Sequence, residues 1–276
     1  MALLRTIVTL LAGGALVLPA AGGAEELRVS GTGTALGTLR ALAGPFAKAN
    51  PGLQLRTLAS VGSGGAFRAV SQGALDIGIS ARTLKPEEVG MGLVALPYAR
   101  TPFIFVAGPR AGVTNLTTAE AIRIYRGEMT QWPNGERLRL VLRPRSDADT
   151  QILMGVSREI AAAVEAALDR EGMLMAATNQ ESNEILARTP GAVGLSTLTQ
   201  VTTEQLAITP LSWNGVAPTL AGMASGAYPL TKTLYLVIKA PASPAVRRFV
   251  AFLGSRDGRR LLEQSGNQPL PLPPLE

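Results

Sequence analysis

The chain contains neither cysteine nor histidine in its 276 residues. Their absence excludes disulfides, thiol nucleophiles, cysteine-ligated zinc and imidazole general bases. An exported protein can do without disulfides, so the missing cysteines leave the compartment open. Lysine is also scarce, because it occurs only at Lys48, Lys85, Lys232 and Lys239. Arginine therefore carries most of the basic charge behind the formal net charge of +6.

These shortages also restrict catalysis and partners. Without histidine or cysteine, a hydrolase would need a serine–lysine pair or two carboxylates. No Ser-x-x-Lys occurs, and the neighbouring acids Glu87 and Glu88 are predicted to form a solvated helix start. The arginines are scattered and not interleaved with aromatic residues, so a nucleic-acid partner is not indicated. The sequence predicts a binding protein that is not an enzyme and needs no cofactor.

The first 24 residues have the layout of a cleavable secretory signal. Arg5 is followed by an apolar stretch from Thr6 to Leu18, and Pro19 and small residues then lead to Ala24. The alternative, a membrane anchor, is disfavoured because the apolar run is short for a bilayer core of ~30 Å. No cysteine follows that could carry a lipid. We therefore expect a periplasmic mature protein beginning near Glu25.

The next part of the chain alternates strand and helix patterns. Strands are predicted at "EELRVSG", "LQLRTLAS" and "ALDIGIS", with a helix from Thr34 to Asn50 and a second over residues 65–72 that Gly73 closes. Short crossovers of this kind predict right-handed βαβ units and a parallel sheet.

Three loops then meet at the carboxyl edge of that sheet, where ligands bind in such folds. They are Ser30–Thr34, Gly62–Gly65 and Ser80–Arg82. Two of them combine glycine with serine or threonine directly before a helix, which presents backbone N–H groups and roughly half a positive charge to a ligand. For a single loop, ordinary turn and cap residues would explain this composition. Together the loops favour an anion cradle.

The second half of the chain is predicted to form a further lobe. "GLVALPYARTPFIFVAGP" indicates two apolar strands around a turn, and a helix then starts at Thr117 or Thr118. "RLRLVLRPRSDADTQILMGV" indicates a strand, a polar loop and a helix continuing to about Asp169, with Ser146, Asp149 or Thr150 as the cap. After a further short helix and strand, "GAYPLTKTLYLVIK" returns to the first lobe and a helical segment ends the chain.

An ordered set of segments resembles the periplasmic phosphate-binding proteins of ABC importers. The segments span nearly the whole mature chain and are "GTGTALGTLRALAGPFAKANP", "GSGGAFRAVSQGALDIGISAR", "TPGAVGLS", "YPLTKTLYLVI" and "FLGSRDGRRLLEQSGNQPL". The resemblance implies a two-lobed α/β fold of the type II periplasmic binding protein class. Each lobe would be a mixed, mostly parallel sheet flanked by helices, with the ligand cleft between lobes.

The same resemblance implies domain boundaries and partners. Lobe 1 would comprise residues 25–100 and 227–276, and lobe 2 residues 101–226. The crossovers are expected near Pro97–Pro102 and near Gly226–Thr231. The implied function is capture of a small oxyanion, above all inorganic phosphate, for the ABC permease subunits in the inner membrane, by a monomer. An oxyanion sensor or scavenger that works without an importer is the alternative that the sequence leaves open.

The implied oxyanion site consists of six residues. The family's ligand contacts match Thr34, Ser63 and Ser80 in the first lobe. Arg82 ends the third loop, and Arg143 with Thr150 best fits the second-lobe loop.

The chain departs from the family pattern in two places. Where the family often has an aspartate that accepts a ligand proton, this chain has Ala81. Where the family has Ser-Gly-Thr in the second lobe, this chain has Asp147-Ala148-Asp149-Thr150. Asp147 or Asp149 could supply the missing acceptor, or both could be cap and first-turn charges of a helix. Asp76, inside a predicted strand, is interpreted as structural.

Overall fold

A computed structural model describes residues 24–275 of the chain. The predicted secretory signal lies outside the described residues, apart from Ala24. Within residues 24–275, none of the helices combines the length and the apolar character that crossing a membrane requires.

The first elements follow the predicted βαβ order. They are β1 Glu25–Gly31, a 3-10 turn Gly33–Ala35, α1 Leu36–Ala49, β2 Leu53–Thr57, α2 Gly62–Ser71, β3 Ile77–Ser80 and α3 Pro86–Val89. β1 pairs in parallel with both β2 and β3, so the predicted parallel unit is confirmed. α2 begins at Gly62, earlier than predicted, and includes the Gly-Ser-Gly-Gly segment. Gly73 follows its last turn at φ +74°, a left-handed position that glycine adopts without strain.

The prediction of two strands around a turn after residue 91 is wrong. One long strand, β4, runs from Leu93 to Ala107. Both of its prolines, Pro97 and Pro102, lie within extended backbone. Pro97 is exposed, and along Leu93–Tyr98 the strand pairs with β11 (Thr231–Lys239) on one side. Proline is tolerated there because an edge strand needs hydrogen-bond donors on one side only.

The second lobe alternates short strands with helices. Its elements are β5 Asn115–Leu116, α4 Thr118–Arg126, β6 Arg139–Leu142, α5 Ala148–Met154, α6 Arg158–Leu168, β7 Leu174–Met175, α7 Asn179–Arg188, β8 Ala192–Thr197, α8 Leu198–Glu204, β9 Thr209–Pro210, β10 Ser212–Trp213 and α9 Leu220–Ser225. Thr117 caps α4 together with Glu120. Of the two predicted residues, Thr117 and Thr118, the first is therefore the cap.

Two details of this lobe differ from the prediction. The helix expected to continue to Asp169 is two helices, because α5 ends at Met154 and Ser157 caps a new helix. The cap of α5 is Asp147, whose carboxylate accepts the N–H of Asp149. Ser146, Asp149 and Thr150 were therefore the wrong choices, although the interpretation of Asp147 as a cap and Asp149 as a first-turn acid agrees with the structure.

The chain then returns to the first lobe through β11, followed by α10 Pro244–Gly254, α11 Arg256–Gln264 and β12 Gln268–Pro269. The strand order is β2-β1-β3-β11-β4-β8-β6-β7. β4 pairs with β11 up to Pro102 and with β8 from Phe103 onwards. It therefore joins the sheets of both lobes.

The two lobes have separate hydrophobic cores. One surrounds Phe46 and Phe249, whose rings meet edge to face at 5.3 Å. The other surrounds Phe105 and Trp213, whose rings stack at 5.2 Å. The fold is therefore the predicted two-lobed α/β arrangement. The exact lobe boundaries at residues 100 and 226 stay predictions.

Candidate anion-binding cleft

A cleft of about 630 Å³ lies between the lobes at the carboxyl ends of their parallel strands. Its walls come from the loop after β2 with the start of α2, from the segment after β3, and from the loops that follow β6 and β7. The polar residues of the wall are Thr32, Ser60, Ser63, Arg68, Arg82, Lys85, Glu87, Glu88, Arg143, Ser146, Asp147, Asp149, Thr178 and Asn179. This position is where ligands bind in open α/β sheets.

The start of α2 presents backbone donors to the cleft. The residue before the helix, Val61, cannot cap it with a side chain. The first N–H groups of a helix have no partners within the helix, so those of Ser63 and Gly64 are available to a ligand, whereas the N–H of Gly62 has the hydroxyl oxygen of Ser60 at 3.4 Å. Gly62 has a φ of +66°, which lets the chain turn sharply into the helix. The hydroxyl of Ser63 accepts the N–H of Ala81 at 3.0 Å and keeps its own hydrogen for a ligand.

Two guanidinium groups flank this helix start. A Cβ added to Gly64 would lie 3.8 Å from Nη2 of Arg82 and 3.9 Å from Nη1 of Arg68. Arg68 is exposed and has no ion-pair partner within the described part of the chain. Because α2 carries Arg68 one helical turn beyond the glycines, the helix places a cation beside its own N-terminus.

Arg82, in contrast, is held by a carboxylate. Its two terminal nitrogens donate to Glu88 at 2.6 and 2.7 Å, and its guanidinium lies 4.6 Å from the ring centre of Phe67. The hydrogen bonds from Arg82 lower the pKa of Glu88, and partial burial opposes this only in part. Glu88 is thus a buried partner and not the solvated residue that was predicted. In the sequence, Glu88 follows Arg82 by six residues, with Pro86 between them.

Ser80 lies behind the cleft wall. It is fully buried, and its hydroxyl donates to the carbonyl oxygen of Arg82 at 2.8 Å and accepts the N–H of the same residue. Ser80 therefore shapes the turn that carries Arg82 and does not line the cleft.

Arg143 forms the opposite wall. It directly follows β6 and is only 5% exposed. Nη1 donates to the carbonyl oxygen of Ala176 and Nη2 to Asp147, both at 2.7 Å. Its Nε is buried and has no hydrogen-bond partner within residues 24–275. Thr150 donates to the carbonyl oxygen of Arg143 at 3.1 Å and holds the loop in place without lining the cleft.

A buried ion pair lies at the base of the cleft. The ammonium group of Lys232, on β11, contacts Asp149 and donates to the hydroxyl of Thr34 at 2.8 Å. The other carboxylate oxygen of Asp149 accepts from Asn179 at 2.7 Å. Lys232 and Asp149 are each 1% exposed, and Thr34 is fully buried. The network joins Thr34 of the first lobe to Asp149 and Asn179 of the second.

Sequence reasoning missed Lys232, Asn179 and Arg68. Lys232 left a signal, because it is one of few lysines and precedes the apolar part of its strand. Of the predicted residues, the structure places Ser63, Arg82 and Arg143 on the cleft wall. It places Thr34, Ser80 and Thr150 directly behind it.

The chain thus has two lobes and, between them, a cleft lined by a helix N-terminus and by cations. The chain matches a PBP superfamily domain over residues 18–257 and belongs to that family. Among curated proteins it is similar to the phosphate-binding protein PstS of Bacillus subtilis, with 28% identity over 84% of this chain and 76% of the relative. It is also similar to the protein SphX of Synechococcus elongatus, with 26% identity over 87% of this chain and 76% of the relative.

Solved structures agree on the fold. A putative phosphate ABC transporter substrate-binding protein from Clostridium perfringens, with bound phosphate, has a TM-score of 0.76 at 17% identity, covering 90% of this chain and all of its own. An ABC-type phosphate transport receptor from Vibrio cholerae has a TM-score of 0.63 at 22% identity, covering 89% of this chain and all of its own.

Proposed function

We propose that the protein captures a small oxyanion, phosphate above all, outside the cytoplasm for an ABC importer. The observation that carries this proposal is the uncapped start of α2, with Ser63, facing the buried Arg143 across the cleft. Helix N–H groups, a hydroxyl and a guanidinium are the donors that offset the lost hydration of an oxyanion. The relatives that are named phosphate-binding proteins support the choice of phosphate.

The direct contacts follow from the position of each side chain. The N–H groups of Ser63 and Gly64, the hydroxyl of Ser63 and the guanidinium of Arg143 would hold the ligand, with Arg68 and Arg82 adding charge. Thr34, Ser80 and Thr150 would act by positioning these groups. Micromolar binding needs roughly 8 kcal/mol, which a few charge-assisted hydrogen bonds of ~1.5–3 kcal/mol each can supply.

Asp147 is the better placed acceptor for a ligand proton. Its side chain is 23% exposed and lines the cleft, whereas that of Asp149 is 1% exposed and bound to Lys232. A carboxylate that accepts a proton favours protonated phosphate over fully ionised sulfate, since sulfate would place two negative groups together. This acceptor would take the role that Ala81 cannot fill.

The other parts of the proposal concern the cellular setting. The protein would act in the periplasm after removal of its signal, would hand its ligand to permease subunits in the inner membrane, and would have no enzymatic activity. The sensor or scavenger role remains the alternative, and permease and ATPase genes beside this gene would favour import.

Isothermal titration calorimetry with phosphate and sulfate tests the ligand and the site together. We expect phosphate to bind more tightly than sulfate. Ser63→Ala should weaken phosphate binding about tenfold, which corresponds to the loss of one hydrogen bond of about 1.4 kcal/mol. Arg143→Lys should weaken it further, because a lysine cannot reproduce the fixed donor geometry of a guanidinium.

Matched controls are Ser71→Ala, at the far end of α2, and Arg145→Lys, whose exposed side chain is paired with Asp169. Both should bind phosphate like the parent. Unchanged binding in Ser63→Ala and Arg143→Lys would show that the contacts are misplaced, and a parent that binds no oxyanion would refute the ligand class.

A further inference from the structure

A second cavity lies on lobe 2, at the end of its sheet that faces away from the cleft. It has a volume of about 490 Å³ and is bordered by the end of α4, the start of β6 and the turn before β7. β6 runs parallel to both β7 and β8, and the residues that line the cleft come after β6 and β7. Because the second cavity adjoins the beginnings of those strands, the length of the strands separates it from the cleft. We call it the distal groove, defined by Arg126, Arg137, Arg139, Arg170, Met129 and Leu174.

The distal groove is cationic. Four arginines line it, and no acidic residue does. Arg137 is exposed and has no ion-pair partner in the part of the chain that the structure covers. Arg126 approaches Glu128 only to 4.0 Å, with both side chains largely exposed, and an exposed contact of this kind neutralises little charge. Arg139 has a carboxylate of Glu136 at 3.4 Å.

Arg170 is fixed in the wall of the groove. Its Nη2 donates to the carbonyl oxygen of Tyr125 at 2.9 Å. Its guanidinium lies against Gly127, where an added Cβ would be 2.9 Å from Cζ. Gly127 has a φ of +78°. The partner of Arg170 is thus a neutral carbonyl, so its positive charge remains available to a ligand.

An apolar sheet edge adjoins these arginines. β7 is the last strand of the sheet and pairs, within residues 24–275, with β6 only. Its two residues, Leu174 and Met175, are 39% and 44% exposed. Met129 and Met173 extend the apolar surface into the groove. A free strand edge can pair with an extended segment of another chain.

We propose that the distal groove docks an extended acidic segment of a partner protein. An extended segment that carries both acidic and apolar residues can place carboxylates on the arginines and an apolar side chain on Leu174, which lines the groove beside them. A small inorganic anion would use the charge and leave the apolar edge uncovered. This interaction goes beyond oxyanion capture and involves a different face of the protein.

Fluorescence anisotropy with a labelled peptide, Asp-Val-Glu-Leu-Asp-Val-Glu, tests the proposal on the mature protein. We expect binding that weakens as salt rises. The double variant Arg126→Glu/Arg137→Glu should lose at least tenfold in affinity, and Leu174→Ser should lose several-fold. The matched control is Arg256→Glu/Arg259→Glu on α11, which has the same charge change at exposed arginines outside the groove and should bind like the parent. A peptide with both valines replaced by proline, which lacks strand donors, should bind at least tenfold more weakly.

Several outcomes would overturn the proposal. They are an absence of peptide binding, an equal loss in both double variants, or equal binding of the proline peptide. Full displacement of the peptide by micromolar inorganic pyrophosphate would assign the groove to a small polyanion instead. Self-association of the parent in sedimentation equilibrium that disappears in Arg126→Glu/Arg137→Glu would assign it to a second copy of the chain. Unchanged phosphate titration in that variant would support the independence of groove and cleft.

Discussion

Lys232 is the most consequential single residue that the structure reveals. Its ammonium group is removed from water and is compensated by Asp149, Thr34 and the nearby ring of Phe103. Burying two charges costs several kcal/mol per ion, and their attraction offsets this only while both are present. The relative orientation of the two lobes therefore depends on the few atoms of this ion pair.

Removing one charge of this pair is expected to be costly. Lys232→Met should lower the free energy of unfolding by roughly 3–5 kcal/mol, because it leaves the Asp149 carboxylate buried without its partner. Urea unfolding measures the loss. Lys232→Met/Asp149→Leu should recover most of it, while Lys239→Met, at the exposed end of the same strand, should change little. A single variant as stable as the parent would contradict the buried pair.

Glu88 gives a pH-dependent prediction. Hydrogen bonds from Arg82 lower its pKa in the folded protein below the ordinary value of 4.5. Its contribution to stability is therefore present above pH 4.5 and is lost as the pH falls through the lowered pKa. We expect Glu88→Gln to be less stable than the parent at pH 7 and to approach it in acid. Denaturation curves from pH 7 to pH 3 measure this, and Glu87→Gln is the control; a constant difference across the range would refute the pairing.

At the scale of elements, Gly31 controls the contact between β1 and β3. Its φ is +151°, and an added Cβ would lie 1.9 Å from the carbonyl oxygen of Ile79. That oxygen also accepts the N–H of Thr32 at 2.9 Å, so it cannot move away freely. The first cleft loop starts at this glycine, which links its conformation to the site.

Gly31→Ala should therefore destabilise the protein by roughly 3 kcal/mol or more, as other forced overpacking does. Thermal unfolding followed by circular dichroism is a sufficient measurement. Gly90→Ala is the matched control, since Gly90 has a φ of −72° and open space around its Cβ position. It should stay within about 0.5 kcal/mol of the parent. Equal stability of both variants would contradict the close approach of the two strands.

At the scale of the molecule, the lobes are joined by two strands and by buried polar contacts, of which the Lys232 network is one. β4 and β11 carry the connection, and behind them Thr38 of α1 meets Thr199 of α8 at 2.9 Å. Asn267 donates to both hydroxyls. A further hydrogen bond between the lobes, from Gln180 to the carbonyl oxygen of Gly33 at 3.0 Å, lies beside residues that line the cleft.

We expect ligand binding to close the lobes about this connection. Small-angle scattering should show a smaller radius of gyration with saturating phosphate than without it, as in other hinge closures. The protein must first be freed of bound anion by unfolding and refolding. Ser63→Ala at a phosphate concentration too low to saturate it should show less change. An identical radius in both states of the parent would mean that the lobes are already fixed by their buried contacts.

The βαβ start of the chain and the cap of α4 could be predicted from the residues themselves, whereas the two-lobed class was implied by the family resemblance. Their causes are local: apolar spacing, a threonine three residues before a glutamate, and glycine after a helix act over one or two turns. Ser63 and Arg143 could be placed on the cleft for a related reason, because the ends of parallel strands share one edge of the sheet.

The continuity of β4, the pairing of Arg82 with Glu88 and the burial of Lys232 were decided by the tertiary structure alone. Whether a proline breaks a strand depends on which of its sides is paired. Whether a cation faces a ligand or a carboxylate depends on residues such as Asp149, 83 positions away from Lys232 in the chain. A sequence displays charge and spacing, but the dielectric surroundings and the partner of each charge exist only once the two lobes have been packed together.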